Sequence, residues 1–480
     1  MWREPFSADP DYITAPMPKT LWIELTSRCP FDCIFCTRKV RFGAGQHLDF
    51  EVFTRLMDDL DRPDFIGLNY SGESIYYPRL LEAIRLARST GAYTELVTAF
   101  STISEPLLRG IVESGLDRLA VSLHTMDPDQ YQRIYRFGSL DLLKRRVDDF
   151  LALRDAVGAR KPRLEFCFVA LNENLDQLAA VAAYAKQVGV PEIFVHPIIG
   201  RHLVPHDFSN ELSANQLRDG FRKKLRSTVA SVRHAYPDLP ITVLNADVEG
   251  RTELSREPRY YAPALPSGAR IHGCDQSPFE SVHVLASGNV VVCEVHDEVS
   301  LGNLHEQSLR EIWNGERYRK FRRRYAADPP PECRTCVWKL AYAPEAWRSA
   351  IVVRKGMSPQ LLRGWHAHEG AAAIWSRRES LLALRCGGNA RKVRIAGVLP
   401  PGPDGRKNIL RVVCNRLPAG EIVNATSAMM PFDTSVALPA AADYLYVDFS
   451  VAHLFRPALH GASHDGRDLG FALERAEAHR

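Results

Sequence analysis

The stretch SRCPFDCIFC, residues 27–36, puts Cys29, Cys33 and Cys36 in one short segment, with three and then two residues between them. It follows LWIEL (21–25), a short apolar run that reads as a strand, so the thiols sit in the loop leaving that strand's C-terminal end. Three thiols are one short of the set that closes a structural zinc site. A three-cysteine iron–sulfur cluster instead leaves one iron open to a ligand that is not protein. The missing fourth ligand is read as the place of a cofactor or substrate.

Outward from this loop, strand and helix alternate. FIGLNY (65–70), YTELVT (93–98), RLAVSL (118–123), RLEFCFVAL (163–171) and EIFVHPI (192–198) continue the series of strands. Between them, LDFEVFTRLMDDL sets Phe50, Phe53, Met57 and Leu60 at helical spacing. PRLLEAIRLARSTG stops at Gly91 and QLAAVAAYAKQVG at Gly189. Six such βα units demand a mostly parallel sheet. Periodicity leaves an open doubly wound sheet and an incomplete barrel both available. In either, functional residues follow the C-terminal ends of the strands.

At this point Cys29-x3-Cys33-x2-Cys36 after a first strand resembles the radical S-adenosylmethionine superfamily. The resemblance implies a partial (β/α)6 TIM-like barrel over residues 18–215, after an N-terminal extension (1–17). It implies a [4Fe–4S] cluster whose open iron chelates the amino and carboxylate groups of S-adenosylmethionine, which one-electron reduction cleaves to a 5′-deoxyadenosyl radical. The electron would come from a donor such as flavodoxin or ferredoxin. Phe35 matches an aromatic near the adenine. Ser71-Gly72-Glu73-Ser74 resembles the family's Gly-Gly-Glu-Pro motif for the methionine amino group, with serines in place of the first glycine and the proline. Glu73 keeps the carboxylate that an ammonium needs. Ser122 and Arg136 match a serine and an arginine placed near the cofactor. Gly43-x-Gly45 lacks the rest of a nucleotide fingerprint and is discounted.

A second set of thiols lies further on, beyond a helix and linker (216–270). Cys274 and Cys293 flank a hairpin with its turn at Ser287-Gly288-Asn289, and PECRTCVW adds Cys333 and Cys336. Four thiolates suit zinc or an iron–sulfur cluster, and spacing alone favours zinc. The order Cys274, Gly288, Cys293, SLREIW and CxxC resembles the SPASM and twitch auxiliary domains of the same superfamily, placing such a domain at 271–345. That resemblance implies one fully ligated auxiliary [4Fe–4S] cluster suited to electron transfer. The basic run RYRKFRRRY (317–325) reads as a solvated helix face.

Alternation along RLEFCFVAL puts Glu165, Cys167 and Val169 on one face and Leu164, Phe166 and Phe168 on the other. The first face suits the barrel interior. Cys167 there could return a hydrogen atom to a substrate radical, or be a small buried hydrophobe. Glu165 joins it as a candidate catalytic residue. His196, at the end of strand six, could act as a base or a substrate contact.

After about residue 357 the pattern becomes β-rich: ARKVRIAGVLP, NILRVVCNRLP and DYLYVDFSV read as strands of a sandwich-like domain (357–480). GWHAHEGAAAIWSRRESLLALR (364–385) and SHDGRDLGFAL (463–473) resemble accessory β-domains of surface-glycan synthesis proteins, which turns the substrate expectation toward carbohydrate.

The chain has 480 residues, 45% hydrophobic and 25% charged, with a net charge of +4. Such a balance implies no nucleic-acid partner. No run approaches membrane-spanning length and the N-terminus has no apolar signal core, so a cytoplasmic location with reduced thiols is expected. The leading expectation is a radical enzyme that oxidises or epimerises a small carbohydrate-type substrate: a sugar, nucleotide sugar or aminocyclitol. A peptide-modifying enzyme is the first alternative, set second because no leader-binding domain is apparent at the N-terminus. A non-catalytic zinc module is the other.

Overall fold

The computed structural model describes residues 14–197, 219–243, 270–274, 276–294, 297–327, 329–336, 339–342, 348–353, 358, 360–366, 372–415, 417–438, 444–457 and 467–480. The polar linker after residue 243 and the start of SHDGRDLGFAL lie outside them. The chain divides into two compact units, Asp9–Ala264 with Asp275–Lys339, and Leu265–Cys274 with Leu340–Arg480.

In the first unit, β1 (Thr20–Ile23), β2 (Phe65–Gly67), β3 (Tyr93–Thr98), β4 (Arg118–Ser122), β5 (Arg163–Ala170), β6 (Ile193–Pro197) and β7 (Ile241–Val243) pair in parallel, in chain order. Parallel neighbours need long crossovers, and helices supply them. These are α1 (Arg38–Phe42), α2 (Phe50–Asp59), α3 (Leu80–Ser89), α4 (Glu105–Glu113), α5 (Pro128–Tyr135), α6 (Leu140–Ala156), α7 (Leu178–Val188) and α8 (Asp219–Ala235). This is the expected α/β partial barrel, with β7 added at one edge.

Local chemistry sets the helix ends. Asp49 caps α2 by accepting the Glu51 N–H at 2.7 Å, and α7 stops where Gly189 turns left-handed at φ 76°. On β5, Leu164, Phe166 and Phe168 are fully buried toward the helices, and Phe166 stacks on Tyr184 of α7 at 5.7 Å. Glu165 and Cys167 therefore face the other way.

The other edge of the sheet comes from far along the chain. After β8 (Arg270–Cys274), which belongs to the second unit, β9 (Ser281–Val284) and β10 (Asn289–Val291) form a hairpin turned by Gly288 at φ 80°. β9 pairs in parallel with β1, Trp22 opposite His283, and β11 (Gly302–Asn303) pairs with β10. The hairpin thus extends the barrel sheet.

Three helices follow: α9 (Leu309–Trp313), α10 (Glu316–Ala327) and α11 (Pro331–Thr335). Ser308 and Glu311 form a reciprocal capping box at α9. In α10 the basic run departs from a solvated face at Arg322, which is fully buried. Its guanidinium lies 4.2 Å from the Trp313 ring and 4.4 Å from the Tyr318 ring, and it donates to the Pro278 carbonyl at 2.8 Å.

In the second unit, β12 (Lys339–Tyr342) pairs with β8. β13 (Ala350–Val352), β14 (Leu361–Trp365), β15 (Ile374–Arg385), β16 (Lys392–Leu399), β17 (Asn408–Cys414), β18 (Leu417–Asn424), β19 (Met430–Ala437), β20 (Tyr444–Val451) and β21 (Ala472–His479) make an antiparallel fold. The long β15 belongs to two sheets, pairing with β21 at its start and β20 along the rest. Leu382, Leu384, Ile395, Val412, Val447 and Phe471 fill the core between them. Among the described residues no helix is long and apolar enough to cross a membrane.

Phe166→Ala should destabilise the first unit by about 3–5 kcal/mol, because the cavity under Tyr184 cannot fully close. Urea denaturation followed by circular dichroism measures it. A loss below ~1 kcal/mol would mean that β5 is not packed on α7 as described.

Candidate functional site

The loops after β1 and β2 and the later parts of β4 to β6 carry Cys29, Cys33, Cys36, residues 71–74, Ser122, Cys167 and His196. Parallel pairing of β1 with β2 sets the cysteine loop beside residues 71–74. The two loops touch through backbone: Glu73 N–H donates to the Arg28 carbonyl at 2.9 Å, and a Cβ on Gly72 would lie 2.0 Å from the Thr26 oxygen. Ser74 donates to the Leu68 carbonyl at 2.7 Å, and the Ser71 hydroxyl donates to Glu24, so both serines shape this loop.

Glu73 is buried, and burial pushes its carboxyl up to about 7 against the pull of the Ala99 amide, the Thr98 hydroxyl and the Ile75 amide. Oε2 accepts the Ala99 N–H at 2.7 Å, whereas the buried Oε1 has no hydrogen-bond partner among the described residues. A buried carboxylate oxygen without a donor is costly, and an ammonium group would satisfy it.

Cys29, Cys33 and Cys36 lie within electrostatic range of one another on their loop. Burial pushes the Cys29 thiol up to about 12, with the Glu73 charge adding to the effect, and also raises the Cys33 thiol well above its ordinary value. Among the described residues no three Cys, His or acidic side chains stand at metal-ligating distances. The donor set nonetheless fits an iron–sulfur cluster: soft thiols on one loop, whose protons leave when metal binds. Arg136 sits at the left-handed C-cap of α5, half exposed, 3.6 Å from Asp32 of the cysteine loop.

The inner wall holds a histidine that the sequence reading passed over. His124, two residues past β4, is buried and held near pH 3, mainly by burial and by His196 nearby. Its Nδ1 accepts the Val169 N–H at 3.1 Å, and its ring stacks on Tyr135 at 5.0 Å. Phe35 meets that ring edge-on at 5.3 Å. Tyr135 in turn donates to the Ser122 carbonyl at 2.8 Å. Ser122 pairs with Cys167, and Val169 with His196, in register across the sheet. Cys167 keeps some surface toward the inner face, but the surrounding walls push its thiol up to about 12, so it is neutral.

Glu165, a candidate catalytic residue, is ion-paired in the fold. It pairs with Arg118 and, at 3.0 Å, with Arg163, while Arg118 also pairs with Glu95. This buried network lies toward the N-terminal half of the strands.

The second cysteine set divides between the units. Cys293 and Cys333 are buried, and the Cys336 N–H reaches the Cys333 carbonyl at 3.4 Å in the first unit. Cys274 ends β8 in the second.

Burial also lowers the His196 pKa, to about 4 from 6.5, with Arg118 adding to the shift. Between those values the unfolded chain binds a proton that the folded chain refuses, so stability is lost as pH falls through the window. The urea midpoint of wild type should drop more steeply from pH 6.5 to 4 than that of His196→Gln. Equal slopes would show that His196 is not held neutral by burial.

Comparison with known proteins places these features. The family model for the radical SAM superfamily matches residues 23–208, and the model for SPASM, an iron–sulfur cluster-binding domain, matches 274–337. A PqqA peptide cyclase of Xanthomonas campestris pv. campestris is 26% identical over 329 residues, 67% of this chain and 80% of its own. A tungsten-containing aldehyde ferredoxin oxidoreductase cofactor-modifying protein of Pyrococcus furiosus is 21% identical, covering 63% and 83%. Streptococcus suis SuiB bound to S-adenosylmethionine aligns with a TM-score of 0.49 and 13% identity over 64% of this chain and 68% of that one. The expected small carbohydrate-type substrate, and with it oxidation or epimerisation of a sugar, is overturned by the run of relatives named as peptide cyclases. That expectation leaned on stretches 364–385 and 463–473, which lie outside both matched segments. S-adenosylmethionine, a [4Fe–4S] cluster and auxiliary iron–sulfur binding are the cofactors of this architecture. The chain thus carries a radical SAM superfamily domain over residues 23–208 and a SPASM iron–sulfur cluster-binding domain over residues 274–337.

Proposed function

We propose that this chain is a peptide-modifying enzyme that forms a new bond between side chains of a peptide substrate. The observation that carries this reading is the match to PqqA peptide cyclases, which extends over 329 residues and four-fifths of the relative's length. That span is longer than the radical SAM match alone.

The first cysteine set with S-adenosylmethionine supplies hydrogen-atom abstraction once reduced by a flavodoxin- or ferredoxin-type donor, and the second set supplies a one-electron centre. Cys29, Cys33 and Cys36 would hold the first cluster; Cys274, Cys293, Cys333 and Cys336 would hold the second. Glu73 Oε1 would take the cofactor's ammonium, with Gly72 allowing the loops to meet closely. Ser71 and Ser74 hold that loop in shape. Phe35, backed by His124, and Ser122 would contact the cofactor, and Arg136 would pair with its carboxylate.

Joining two side chains removes two hydrogens from the peptide. One leaves as an atom; the other leaves as a proton and an electron. The electron goes to the second cluster and the proton to solvent, while His196, held neutral on the inner face of the barrel, serves as a substrate contact. Cys167, neutral beside it, shapes that face next to Ser122.

The test is anaerobic release of 5′-deoxyadenosine by the reconstituted, reduced enzyme. One arm supplies a pool of short ribosomal precursor-type peptides, the other a nucleotide-sugar pool. Release stimulated by peptides, with a peptide product lighter by two hydrogens, is expected. Stimulation by the sugar pool alone would overturn the reading. Wild type should carry about eight irons, and the Cys29→Ala/Cys33→Ala/Cys36→Ala variant about half as many, with release abolished. One zinc and about four irons in wild type would remove the auxiliary cluster.

A further inference from the structure

Two buried carboxylates outside the cysteine motifs tie the cofactor loops to the auxiliary segment. Asp297 lies four residues past Cys293, and its side chain is wholly enclosed. One of its oxygens pairs with Arg41 in α1, the helix that leaves the cysteine loop. The other accepts the Tyr70 hydroxyl at 2.7 Å, immediately before Ser71. Tyr70 also meets the His283 ring of β9 edge-on at 5.6 Å.

Glu24 follows β1 and is 1% exposed. One of its oxygens accepts the Ser71 hydroxyl, and the other accepts the Ala286 N–H of the β9–β10 turn at 2.9 Å. Each carboxylate therefore joins residue 70 or 71 to the segment that carries Cys293. Asp297 adds the helix after Cys36. Residue 73, two positions on, holds the unfilled carboxylate oxygen.

We propose that Glu24 and Asp297 are positioning residues that couple S-adenosylmethionine binding to the order of the β9–β10 hairpin. The inference rests on the assignment of residues 29–36 and 71–74 to the cofactor. Its physical basis is that a buried carboxylate cannot be left by one partner alone. If the hairpin loosens, Glu24 loses the Ala286 N–H and Asp297 is drawn from the Arg41 guanidinium and the Tyr70 hydroxyl, so the loop around Glu73 re-sorts its hydrogen bonds. Coupling of this kind is reciprocal: the cofactor should tighten the hairpin by the same factor that the staples tighten the cofactor.

The experiment measures equilibrium binding of S-adenosylmethionine to reconstituted full-length chain, and hydrogen exchange of residues 281–291 with and without it. Wild type, Asp297→Asn, Tyr70→Phe, Glu24→Gln and Cys36→Ala are compared. Tyr70→Phe removes one hydroxyl only, which covers the case in which a carboxylate variant fails to fold. In wild type the cofactor should slow exchange across the hairpin. Asp297→Asn and Glu24→Gln should each weaken binding about tenfold, Tyr70→Phe about threefold, and all three should blunt hairpin protection in proportion. Unfilled chain should show the same link, with hairpin exchange speeded by the variants before any cluster is loaded. Unchanged affinity and undiminished protection in Tyr70→Phe and in the folded carboxylate variants would overturn the coupling. Wild-type affinity in Cys36→Ala would instead overturn the cofactor assignment, and the coupling with it.

Discussion

The close backbone approach of two loops governs everything above the barrel sheet. The Thr26 carbonyl stands where a side chain at residue 72 would be, and the Ser27 carbonyl stands 2.5 Å from where a side chain at Gly45 would be. Gly45 also adopts φ 74°, a conformation open to glycine at little cost. The cysteine loop can curl back only because these two positions lack Cβ atoms. Arg38 then seals the curl, donating to the Ser27 carbonyl at 3.0 Å and the Gly43 carbonyl at 3.1 Å. Gly43-x-Gly45 is thus no nucleotide fingerprint, yet Gly45 has a definite task.

Above that framework, buried carboxylates take distinct roles because of what faces them. Glu165 is held by two arginines. Glu24 and Asp297 are each shared between two segments and serve as staples. Glu73 has one oxygen satisfied and one open, which is the arrangement a ligand ammonium completes. All four are buried acidic residues of the first unit. What distinguishes them is their partners, and the partners come from distant segments.

The same logic explains the histidines. His124 and His196 lie at the exits of β4 and β6, the two strands that flank β5, and enclosure keeps both rings neutral. His124 buttresses Phe35 from behind, so the aromatic beside Cys36 rests on a ring that the Val169 amide and Tyr135 hold still. His124 could have been noticed in AVSLHT as the polar residue one turn of pleat beyond Ser122. Nothing local marks it as buried.

Local patterns alone determined the six barrel strands, the stops at Gly91 and Gly189, the two cysteine sets and the β-rich character of residues 357–480, because each depends on periodicity or spacing between near neighbours. Alternation along β5 likewise foretold which side of the strand faces the helices. Tertiary structure decided what depends on pairing between distant segments. β9 joins β1 across most of the chain, Arg322 turns inward from a basic helix because Trp313 and Tyr318 box it, and Glu165 finds Arg118 on the next strand. A side chain's burial and its partner are set by what the fold brings against it, and in a parallel sheet those neighbours come from other crossovers, beyond the reach of any local pattern.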